Sequence, residues 1–178
     1  GKGFVIFPDD GTQPIELSYP NAAMGLSCEH GKILSALREA AATHPDVYFM
    51  ANVRVTSISA QTLTFESGKH CETGTILAER IIGADGRASA TRKALGIPND
   101  SKLVSYMAGV LLEDVELPFE GFGHVFLGGP GPAVAYRIGK NQIRICLDVP
   151  LHFKKKPADL WDAYSRILPS VLLKALRK

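Results

Sequence analysis

One acid between two glycines, Gly83-Ala84-Asp85-Gly86, is the pattern in this chain best suited to gripping a small molecule. An apolar run through Ile81-Ile82 leads into it, and a helical pattern over 88–95 leaves it, stopping at Gly96-Ile97-Pro98. A carboxylate at a strand-to-helix turn can accept hydrogen bonds from hydroxyls of a ribose or ribityl chain, and glycines let a ligand approach the backbone. Asp85 and Gly86 are therefore candidate binding residues. The same residues also suit a plain corner in which Asp85 or Ser89 caps the helix.

Other chemistries find little support. There is no Gly-x-Ser-x-Gly, no His-Glu-x-x-His and no carboxylate pair with credible spacing. Cys28 has only His30 nearby to depress its pKa. Three scattered cysteines (Cys28, Cys71, Cys146) suggest neither a disulfide framework nor a metal site, and a reducing, cytoplasmic setting suits them. Gly128-Gly129-Pro130-Gly131-Pro132 is expected to be a hairpin loop, because its prolines cannot donate N–H groups to a phosphate.

The whole string from Gly83 to Arg92 resembles the second flavin motif, Gly-Ala-Asp-Gly-x-x-Ser-x-x-Arg, of FAD-dependent aromatic hydroxylases and their relatives. Three further segments resemble the squalene epoxidase branch of that superfamily. They are Leu17-Ser18-Tyr19-Pro20, the run from Glu29 to Ala41, and Ala135-Tyr136-Arg137-Ile138 with the stretch from Arg144 to Pro150. The resemblance runs from about residue 3 to about residue 150.

It implies a flavoprotein monooxygenase that uses FAD and NAD(P)H to insert one oxygen of O₂ into a hydrophobic alkene or aromatic substrate. By the same resemblance Asp85 lies at the ribityl chain and Gly86 beside it. His30 and Arg38 lie on the path from phosphate to flavin, and Val53 and Arg54 on a strand beside the adenine. Tyr19, near flavin and substrate, is the one catalytic candidate.

The departures are specific. Glu29 and Lys32 stand where the branch has histidine and arginine, no Gly-x-Gly-x-x-Gly follows a strand, and no Gly-Asp-Ala with His-Pro is present. These departures lead us to expect a central piece of a longer enzyme, whose missing N- and C-terminal parts complete the flavin site, and little FAD binding by this chain alone. The rival readings are a non-catalytic truncated flavoprotein or binding module, and a flavin halogenase or polyprenyl reductase on the same scaffold.

Composition agrees with a globular protein: 178 residues, 46% hydrophobic, 21% charged, net charge +2. No apolar run approaches the roughly 20 residues that span a bilayer. Over 154–178 seven basic residues face two acidic ones, a solvated helix face or a site of peripheral membrane contact. Nucleic-acid binding lacks a recognisable module.

The elements that must position these residues follow from periodicity. A hairpin is expected over 3–7 and 14–19, a helix over 30–43, a short strand at 47–49, a second hairpin over 53–58 and 61–66, and a polar loop over 67–74. A strand over 75–83 then leads to the Asp85 turn. Four strands over 102–113, 121–127, 132–138 and 142–149 suggest an antiparallel meander, followed by helices over 157–168 and 170–178. The expected fold class is α/β plus β: a partial three-layer FAD/NAD(P)-binding domain over 28–97, with 1–27 and 98–178 forming an antiparallel-sheet substrate domain with C-terminal helices.

Overall fold

Alternation of β-branched and polar residues in the C-terminal half dictates a half-buried sheet. In the computed structural model, which describes residues 1–68, 72–154, 156 and 159–176, that sheet is the larger of two. Its six strands are β1 (Gly3–Phe7), β2 (Ile15–Ser18), β6 (Ser105–Glu113), β7 (Phe122–Phe126), β8 (Ala133–Arg137) and β9 (Gln142–Pro150), in the order β2-β1-β7-β8-β9-β6. The smaller sheet contains β3 (Val53–Ile58), β4 (Thr62–Ser67) and β5 (Thr73–Leu77), paired antiparallel in chain order. Helices α1 (His30–Thr43), α2 (Ala90–Ala94), α3 (Leu160–Tyr164) and α4 (Ser170–Leu176), with a short 3₁₀ turn at Pro20–Ala22, complete the regular structure among the described residues. The chain divides into two units, 1–36 with 103–178 and 37–102, the division falling inside α1.

The first unit holds the core. One face of β1, β7, β8 and β9 turns Val5, Phe126, Ala133, Ala135, Ile143, Ile145 and Leu147 inward, each fully shielded from solvent. Tyr164, Leu168 and Leu172, on or beside the two short C-terminal helices, pack onto the cluster. The Tyr164 hydroxyl donates to the Asp148 carbonyl, so a buried polar group is paired.

His124 lies in the same layer, fully buried and stacked on Phe7 and Phe126. Its Nε2 accepts the Phe119 N–H (3.1 Å), which leaves Nδ1 as the protonated nitrogen, donating to the Phe122 carbonyl (3.1 Å). Burial pushes its pKa below the ordinary histidine value.

Several sequence expectations need correction. The 102–149 strands are not a simple meander. β7, β8 and β9 run as consecutive hairpins, but β6 pairs with β9 and not with β7, from Ser105 opposite Pro150 to Glu113 opposite Gln142. The sheet is also mixed, because β1 runs parallel to β7. No strand forms at 47–49, and the strand expected over 75–83 ends at Leu77. The physical cause is the ladder: β4 begins at Thr62, which pairs with Leu77, so residues beyond Leu77 find no further strand partner. The 128–132 segment is a hairpin loop between antiparallel β7 and β8. The centre of the 67–74 loop, the start of the helix expected from 157 and the end of the one expected at 178 lie outside the described residues.

Candidate functional site

Two concave surfaces, one in each unit, carry four of the seven candidate residues, Val53, Arg54 and Asp85 on one and Tyr19 on the other, while Gly86, His30 and Arg38 line neither. In the second unit a groove of about 500 Å³ is lined by Val53, Arg54, Asp85, Thr91 and the segment from Ile81 to Ala84. The corner is built by short-range bonds. Ser89 caps α2: its Oγ accepts from the Arg92 N–H (2.9 Å) and donates to Asp85 Oδ1 (2.5 Å). Asp85 Oδ2 accepts the Thr91 N–H (3.0 Å) and hydroxyl (3.2 Å). Asp85 is therefore an anchor of the corner as well as an exposed carboxylate on the groove.

The Ser89 hydroxyl and then the Thr91 N–H hold the Asp85 carboxyl far below the usual carboxylate range, so it stays ionised. Both glycines have physical reasons. Gly86 has φ +75° with open space where a side chain would stand, and a Cβ on Gly83 would lie 2.5 Å from Thr91.

The structure brings Val53 and Arg54 to this groove beside Asp85. Val53 is half-buried at the start of β3. The Arg54 guanidinium is paired across the strands with Glu66 (Nη2 to Oε2, 2.8 Å), which raises its pKa further. His30 opens α1 and Arg38 sits within it; both are exposed, and neither lines the groove.

Tyr19 belongs to the other surface, on the face of the larger sheet opposite the core. Here β1, β7 and β8 present Phe4, Gly123, Val134 and Tyr136 to two adjoining hollows of about 300 and 360 Å³. The loop residues Gly25, Leu26 and Ser27 wall both. The Tyr19 ring meets Phe4 edge-on at 6.2 Å and lies directly beneath Gly25. Phe4 in turn lies over Gly123, where a Cβ would stand 2.7 Å from its ring.

Sequence reasoning passed over Thr91, Glu66 and most of this trough. Phe4 and Tyr136 alternate with inward residues, but only the β1–β7 and β7–β8 pairings together bring them to the two sides of Gly123 on one face.

Comparison with known proteins places the chain. The squalene epoxidase family model matches residues 77–169, just over half of the chain. The chain belongs to the squalene epoxidase family. Among this family, squalene epoxidase 3 of Arabidopsis thaliana is 31% identical over 162 residues, covering 83% of this chain and 29% of that protein. A squalene epoxidase of Candida albicans is 30% identical over 161 residues, covering 86% and 32%. This squalene epoxidase family chain thus spans less than a third of the length of these relatives.

Solved structures agree on the fold. A probable FAD-dependent monooxygenase from Pseudomonas aeruginosa superposes with a TM-score of 0.60 at 16% identity, covering 82% of this chain and 42% of that one. The flavin-dependent halogenase CmlS superposes with 0.65 at 15% identity, covering 98% and 33%. Among the described residues no helix is long and apolar enough to cross a membrane.

Proposed function

We propose that the chain is the central part of a FAD-dependent, NAD(P)H-requiring monooxygenase that adds one oxygen atom of O₂ to an alkene or aromatic ring of a hydrophobic substrate. The observation that carries this reading is the ionised, solvent-facing Asp85 carboxylate on the same groove as Val53 and Arg54 of β3, in a chain of the squalene epoxidase family. The corner fits the sugar-alcohol segment of FAD. Asp85 offers acceptors to hydroxyl donors, and the open space at Gly86 admits a ligand against the backbone.

When bound, the flavin supplies the oxygen-activating redox chemistry. The residues of this chain bind and exclude. Asp85 accepts from ribityl hydroxyls and Gly86 lets them approach. The β3 backbone at Val53 and Arg54 runs beside the adenine, with the Arg54 side chain retained by Glu66. Arg38 offers its planar fork to phosphate, with His30 further along that path. In this reading residues 28–97 belong to the three-layer flavin domain. The sheet of 1–27 and 98–178 is the substrate wall, where Phe4 and Val134 offer an apolar surface that keeps water from the reacting centre. Tyr19 turns its ring to an apolar substrate and can present its hydroxyl to an oxygenated one. We place the protein in the cytoplasm, with the basic stretch over 154–178 available to an anionic membrane surface.

The test is a longer polypeptide, extended at both ends by its natural sequence. Flavin absorbance together with NAD(P)H oxidation stimulated by squalene is expected. A folded but colourless protein would overturn the reading. Asp85→Asn is expected to weaken FAD retention about tenfold, part of it through the loss of one acceptor for Ser89 or Thr91 at the corner.

A further inference from the structure

The trough around Tyr136 is walled on one side by a loop, not a strand, so something other than a ladder must hold that wall. Ser27 is tied there by one side-chain bond: its Oγ donates to the Arg137 carbonyl, 110 residues away in the chain, at 2.6 Å. Arg137 is the last residue of β8, directly after Tyr136. Its guanidinium is clamped from three directions. Nε donates to Glu120 Oε2 at 3.0 Å and Nη2 to Glu120 Oε1; Nη1 reaches the Lys140 carbonyl at 3.0 Å and Nη2 the Val115 carbonyl at 3.2 Å. Glu120 Oε1 also accepts the Leu117 N–H at 3.0 Å. A planar fork meeting a carboxylate and two carbonyls permits one orientation only.

We infer that Arg137 and Glu120 are positioning residues for the trough: they fix the end of β8 so that the Arg137 carbonyl latches Ser27, and with it the wall formed by Gly25, Leu26 and Ser27. The remaining ties of that loop are the Gly25 backbone bonds to Gly1 and the packing of Tyr19 under Gly25. Leu26 stands 99% exposed at the rim, with no apolar partner among the described residues. The latch, at the end of the wall farthest from those ties, therefore helps to set how far an apolar side chain stands from Tyr136 across the hollow.

The role at the trough rests on the substrate-wall reading above, whereas the latch itself does not, and two measurements keep them apart. Amide exchange on the 178-residue chain reads the latch. Ser27→Ala is expected to speed exchange over 23–28 about five- to tenfold, and Ser27→Thr to restore protection. Arg137→Lys and Glu120→Gln are expected to speed the same segment, because an ammonium or an amide cannot satisfy all the partners at once. In each case 143–147 in β9 should keep its protection, which shows that the variant is folded. Faster exchange confined to 114–121, with 23–28 as in the unaltered chain, would overturn the latch.

Steady-state kinetics with squalene on the longer polypeptide read its consequence. Arg137→Lys is expected to raise KM by a larger factor than it lowers kcat. An unchanged KM with a loosened loop would overturn its role at the trough.

Discussion

Asp85 illustrates how one side chain serves structure and ligand together. Its two oxygens close the corner through Ser89 and Thr91, yet the carboxylate stays exposed on the groove. The cap predicts a local effect. Ser89→Ala should destabilise α2 by about 1 kcal/mol, seen as faster amide exchange over 90–95 with the larger sheet unaffected. His124 gives a global one. Its folded pKa is lowered, so the unfolded chain binds the proton more readily as pH falls. The stability tied to its neutral ring is complete above the unfolded value of about 6.5 and is lost progressively below it. Denaturant midpoints should therefore fall between pH 7.5 and 5.5. A flat profile would show that His124 protonates without disturbing its Phe119 and Phe122 bonds.

At the scale of elements, stability is concentrated in the inward face of β8 and β9. Ile145 is fully buried between strands and C-terminal helices, so Ile145→Ala should cost about 2–5 kcal/mol and lower the melting temperature of the first unit. Elements with strong local signals were legible in advance. The helix over 30–43 has the expected bounds, since its apolar positions recur at helical spacing and Pro45 follows it. The 3–7/15–18 and 53–58/62–67 hairpins also follow from alternation around turns. What failed were strands whose existence depends on a neighbour. Residues 47–49 and 78–83 have β-like patterns but no strand partner, and β-propensity alone does not hold an extended backbone.

At the scale of the molecule the two units differ in kind. Among the described residues of 37–102 only Ser89 is buried, and no apolar side chain is, whereas the first unit contains a continuous apolar cluster. A unit without buried apolar surface gains little to offset its conformational entropy. Limited proteolysis of the 178-residue chain should therefore cut first within 37–102, leaving the strands after 103 resistant. Cleavage beginning in β8 or β9 would contradict this. Chain-local information, meaning periodicity, caps, glycine turns and the motif around Asp85, was enough to indicate the family, the hairpins and the corner, because each depends on residues within a few positions of one another. Long-range pairing decided the rest. The parallel β1–β7 contact, the return of β9 to β6 and the juxtaposition of Tyr19, Leu26 and Tyr136 depend on ladders and packing between residues up to 119 positions apart, for which no short window carries a signal.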